Sequence, residues 1–127
     1  MRRTIIIALT VLALSVALCA AGTSAVNRAV AGAQELLEAA TRAARLGDAD
    51  AARDAMRRLG DHWERRGKVL ELITSHDALF DARGGIEDAR ACLEQGEGEE
   101  FFRAAAGVAI QLERLRLTEA FRWANLY

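Results

Sequence analysis

Two histidines, two cysteines and one cluster of carboxylates are the residues of this chain with the most chemistry to offer. His62 and His76 are its only imidazoles. If one continuous helix carries both, they stand about 21 Å apart, too far to share a metal ion. His76-Asp77 reads as a capping or hydrogen-bonded pair where the second helix ends, a structural role rather than a catalytic one. Ser75 precedes His76, but adjacent helical residues point about 100° apart and no strand-turn-helix elbow surrounds the serine, so nucleophile and base are not paired. Glu97, Glu99 and Glu100 stand ahead of an apolar stripe, where negative charge suits the positive end of a helix. The triplet reads as a cap, not a metal site. Gly-rich phosphate loops, paired zinc cysteines and calcium loops have no counterpart in the sequence. It therefore assigns no catalytic residue, no cofactor and no metal ligand, and the expectation is a protein that is not an enzyme.

Cys19 lies inside an apolar N-terminal run and Cys92 is the sole thiol of the remainder, so the pair makes no disulfide framework. Cys92 reads as a small buried residue, with an inter-chain bridge on an oxidising face as the alternative. Phe121, Trp123 and Tyr127 crowd the last seven residues together with Leu126, in a chain only 6% aromatic. Such a tail must pack on something: it closes the core of its own domain, or it docks a partner or the membrane surface. Trp63, His76, Phe121, Trp123 and Tyr127 are accordingly the candidate partner-binding or core-closing residues. They are also the set that would line a pocket between helices.

The element that locates all of these is the N-terminus. After Met1-Arg2-Arg3 no charge appears until Arg28, a span longer than the ~20 residues that cross a bilayer as a helix. A Lys, Arg or Asp at the centre of such a segment costs several kcal/mol, so freedom from charge is a physical requirement that residues 4–27 meet. Arg2 and Arg3 keep the N-terminus in the cytoplasm and deliver everything after Arg28 across a bacterial cytoplasmic membrane. The competing reading is a cleaved signal peptide ending in the small residues Ala21 to Ala25, which makes the domain secreted. Lipidation of Cys19 is a third reading, opposed by Leu18 where that signal wants a small residue. The expected organisation is an anchor or signal segment over residues 1–27 and an extracytoplasmic domain over residues 28–127.

That domain is written as helix. Half of the chain is apolar and proline is absent, which with abundant alanine, leucine, arginine and glutamate leaves little material for strands. Setting aside Arg2 and Arg3, acidic residues outnumber basic ones, which disfavours nucleic acid as a partner. Val30, Ala33, Leu37, Ala40 and Ala44 recur at 3-and-4 spacing and predict an amphipathic helix, stopped by Gly47 and followed by Asp48 as the next N-cap. A second helix is expected from Ala49 to Ser75 with its stripe through Ala52, Met56, Leu59, Trp63, Leu70 and Ile73, and a bend near Gly67. The third uses Leu79, Ala82, Ile86, Ala89 and Leu93 and is weakened by Gly84 and Gly85, roughly 1 kcal/mol each relative to alanine. Phe101, Ala105, Val108, Leu112 and Leu115 mark the fourth. Four amphipathic helices with short links predict an all-α fold, an antiparallel bundle behind the anchor, with a tetratricopeptide-like stack of two hairpins as the rival.

The apolar N-terminus, the Asp48 to Trp63 stretch (DADAARDAMRRLGDHW), the Ile73-Thr74-Ser75-His76 step followed by Leu79, and Asn125-Leu126 together resemble the domain-of-unknown-function family 4363, short membrane-anchored proteins of clostridia and related Gram-positive bacteria. Two departures stand out: Ala78 occupies a position where the family tends to be acidic, and Gly84-Gly85 interrupts what is regular helix there. The resemblance implies an envelope-associated helical protein and carries over no catalytic residue. The functional expectation is a non-enzymatic interaction module on the outer face of a bacterial membrane that binds another envelope protein or itself. A small-molecule-binding or sensory domain is the alternative.

Overall fold

The computed structural model describes residues 1–72, 74 and 76–125, with side chains up to residue 120 in the last helix. Four α-helices follow one another: α1 (Arg2–Arg45), α2 (Ala49–Leu70), α3 (His76–Glu94) and α4 (Gly98–Asn125). The apolar run and the first amphipathic stripe are one uninterrupted helix, about 66 Å long at 1.5 Å per residue. Nothing breaks it at residue 27, because no proline or paired glycine intervenes; Thr10, Ser15 and Thr23 satisfy their own hydroxyls by donating to carbonyls one turn back.

Each helix packs on two others: α1 on α2 and α4, α3 on α2 and α4. Among the described residues the backbones of the diagonal pairs, α1 with α3 and α2 with α4, do not approach each other closely. A stack of hairpins would place the first helix of one pair beside the first helix of the next, so this closed ring is an antiparallel four-helix bundle. Direction is confirmed between α1 and α4, where Gln34 Nε2 donates to Glu113 Oε2 at 3.3 Å and the Arg45 guanidinium lies 6.0 Å from the Phe102 ring.

The core is the meeting of the four stripes. Leu79, Ala82, Ile86, Ala89 and Leu93 are buried on α3, and Phe101, Ala105, Val108, Leu112 and Leu115 on α4. On α1 the buried stripe begins earlier than its periodicity suggests, with Gly22, Val26 and Ala29, and Ala44 is only half-buried. Residues 1–18 project beyond the bundle and are exposed on every side.

Two links share one geometry. Gly47 and Gly96 adopt φ of +78° and +74°, and the residue after each glycine donates its N–H five residues back, Asp48 to Ala43 O and Glu97 to Cys92 O. Both are Schellman ends, in which glycine takes the left-handed conformation that a Cβ would penalise. Asp48 then caps α2, its carboxylate accepting from Ala51 N at 3.1 Å.

The link between α2 and α3 departs from expectation. α2 ends at Leu70 rather than Ser75, and His76 opens α3 instead of closing α2. The sequence Ile73-Thr74-Ser75 accounts for this, since β-branched and small hydroxyl residues are weak helix formers that favour turns and caps. His62 and His76 therefore sit on different helices, and the separation expected of one continuous helix does not apply. Ile73 and Ser75 lie outside the described residues. Gly84 and Gly85 leave α3 unbroken.

Candidate functional site

Of the residues singled out in the sequence, the fold brings Trp63 and His76 together. They line a cleft of about 480 Å³ between α2 and α3, within the size range of small-molecule sites. Trp63 is 3% exposed and forms the floor, its Nε1 donating a long hydrogen bond of 3.5 Å to the Leu79 carbonyl. His76 is exposed on the rim at the first position of α3, followed by Asp77 in the first turn. The side chains of Phe121 and Trp123, and Tyr127 entirely, lie outside the described residues.

The walls come from residues that periodicity does not pick out. Arg65 and Lys68 stand on α2, while Phe80 and Arg83 stand on α3. Arg83 pairs with Glu64 across the cleft at 3.3 Å, an exposed contact worth at most ~1 kcal/mol. Lys68 has no ion pair or hydrogen bond among the described residues, and Glu71 is the second carboxylate of the lining. One sequence signal was available: Phe80 lies off the α3 stripe and is 69% exposed, an unusual place for a large aromatic residue.

His62 has a packing role. Its Nε2 lies 2.9 Å from the Ala29 carbonyl; a carbonyl only accepts, so Nε2 carries the proton and donates. The ring lies over Gly32, where an added Cβ would come within 2.7 Å of His62 Cε1. Glycine thus lets α1 and α2 approach with the imidazole between them. A similar contact joins α3 and α4, because a Cβ on Gly85 would meet Gln111 Oε1 at 2.7 Å and Val108 Cγ2 at 3.0 Å.

Cys92 is half-buried against the core rather than fully buried. Desolvation raises its pKa, and Glu97, Glu100 and Asp88 add to the effect by disfavouring a thiolate. Glu113 moves the other way, held below the usual carboxylate range chiefly by its hydrogen bond from Arg116. Glu97 immediately precedes α4, and Glu99 and Glu100 occupy its first turn, as expected of charges that cap. Glu119, 2% exposed, occupies the next core position of the α4 stripe after Leu115. Among the described residues no three or more His, Cys, Asp or Glu side chains gather as they would around a metal ion.

No family model, curated protein or solved structure matches the chain.

Proposed function

We propose that this chain is a membrane-anchored, non-enzymatic helical module that presents its bundle on the outer face of a bacterial membrane and engages another envelope protein. The observation that carries the reading is the contrast along α1. Residues 4–18 expose isoleucine, leucine and valine around the whole helix, with Ile6 at 62% and Leu18 at 72%, whereas from Gly22 onward the same helix is amphipathic and packed. A water-soluble helix hides one stripe; a helix apolar on all faces calls for an apolar solvent. Arg2 and Arg3 orient it with the N-terminus inside.

Retention is favoured over cleavage because Gly22 and Val26 are buried against the bundle. Cleavage among Ala21 to Ala25 would take Gly22 out of the bundle and leave Val26 at or near a free, charged terminus. The resemblance to membrane-anchored proteins of the Gram-positive envelope agrees with this reading. Alkaline extraction of membranes tests the anchor, with the full-length chain expected in the pellet. Cross-linking in intact cells followed by purification is expected to recover one specific envelope protein; recovery of none would count against the interaction module.

The ligand-binding reading has its own support, namely that Trp63 and His76 line the α2–α3 cleft.

A further inference from the structure

We propose that the α2–α3 cleft binds the phosphate-bearing headgroup of an anionic phospholipid from the same membrane that holds α1. The proposal rests on reading α1 as a membrane span. Position is the first argument. Residues 2–18 project free of the bundle over about 25 Å, close to the ~30 Å of a hydrocarbon core. No spacer separates that projection from the packed region, which starts at Gly22. His62 contacts Ala29 and lies over Gly32. Following that antiparallel register, the C-terminal turn of α2 reaches the level of Gly22, and the α2–α3 link lies beside the end of the projecting segment. The cleft therefore faces the headgroup layer.

Chemistry is the second argument. Arg65, Lys68 and Arg83 face Glu64 and Glu71 in the lining, and Arg83 already engages Glu64. That leaves Lys68, whose side chain has no partner among the described residues, beside Arg65, whose Nε donates to the Asp61 carbonyl at 3.3 Å, two cations against the one remaining carboxylate of the lining, Glu71. α3 begins at His76 on the same rim, so the positive end of its dipole adds to the field there. Phe80, 69% exposed, shares the lining with these cations, and Val69 and Leu72, exposed to 51% and 87%, follow Lys68 in sequence at the same end of α2. Apolar side chains interleaved with basic ones fit an amphiphile, with the cations on the phosphate and the apolar groups toward the acyl region. A free phosphate would make no use of Leu72 or Phe80.

The test uses the full-length chain in detergent, presented with equimolar phosphatidylglycerol and phosphatidylcholine and examined by native mass spectrometry. One phosphatidylglycerol per chain is expected to be retained about thirtyfold over phosphatidylcholine, the scale of two basic side chains near an anionic surface. Combining Arg65→Gln with Lys68→Gln is expected to abolish the preference, while Arg42→Gln with Arg45→Gln, at the far end of the bundle, leaves it intact; circular dichroism verifies that each variant folds. Equal retention of the two lipids, or a preference that survives Arg65→Gln with Lys68→Gln, overturns the proposal. Loss of the preference in millimolar inorganic phosphate also overturns it, in favour of a free-phosphate site. Flotation of the same chain with phosphatidylcholine vesicles scores the span separately. A chain that floats but shows no preference removes the headgroup site alone, whereas a chain that does not float removes the membrane reading and this proposal with it.

Discussion

At the scale of single residues, the glycines of this chain divide into those that make room and those that do not. Gly84 has nothing within 4 Å of where a Cβ would stand, whereas Gly85 has Gln111 and Val108 against it. Gly84→Ala should therefore raise stability by about 1 kcal/mol through helix propensity, whereas Gly85→Ala, which gains the same propensity but overpacks against Val108 and Gln111 by about 1–3 kcal/mol, should come out between neutral and about 2 kcal/mol less stable. Urea unfolding should place Gly85→Ala below Gly84→Ala by the overpacking cost; equal shifts would mean that the α3–α4 contact is looser than this. The Gly32–His62 pair calls for a double-mutant cycle. Gly32→Ala gains the same propensity but displaces the imidazole and its bond to Ala29, so it should be neutral or destabilising alone and stabilising by about 1 kcal/mol in a His62→Ala background. Cys92 makes a prediction about pH. Its pKa is raised by desolvation and neighbouring carboxylates, so the thiolate is scarce where an ordinary thiol already reacts. Iodoacetamide labelling in a Cys19→Ala variant should rise with pH along a curve displaced to higher pH than that of a free cysteine peptide.

At the scale of elements, the two glycine-closed links and the α2–α3 link are different objects. Gly47 and Gly96 hold left-handed backbone conformations, so alanine at either should cost about 1–2 kcal/mol, the penalty for a Cβ there. No stabilising gain offsets that cost, because propensity rewards alanine inside helices and not one residue past their ends. The Gly47 link was legible because its signals are local: a glycine after a periodic run and an aspartate three residues ahead of the N–H it caps. The core stripes of α3 and α4 were legible for the same reason, since every stripe residue from Leu79 to Leu115 is buried, while Cys92, off the stripe and also expected to be buried, is half-buried. The end of α2 was not. A stripe continued through Leu70 to Ile73 looks helical by spacing, and only the weak propensity of Ile73-Thr74-Ser75 argues against it. The cleft was half legible: Trp63 and His76 stand out by type, but Arg65, Lys68 and Arg83 look like ordinary surface charges until the fold sets two helices side by side. Spacing along one helix says which residues share a face, not which face of another helix they meet.

At the scale of the whole molecule, the continuity of α1 joins its apolar projection and bundle as one mechanical unit. Val26, Ala29, Val30 and Ala33 are fully buried, so the helix that leaves the bundle is also one of its four staves. Charge resumes only at Arg28, but packing begins at Gly22, six residues earlier. The two criteria predict different domains. If packing governs, a fragment over residues 22–127 should unfold cooperatively, whereas one over residues 28–127 should be less stable by about 2–3 kcal/mol, mainly from losing the fully buried Val26. The shorter fragment should also show the smaller dependence on denaturant if its freed neighbours stay solvated, since that slope follows the surface exposed on unfolding. Urea denaturation of both fragments measures the difference directly. Equal stabilities would mean that residues 22–27 belong with the projecting helix alone, which would uncouple the bundle from the membrane and remove the geometric basis for placing the α2–α3 cleft among lipid headgroups.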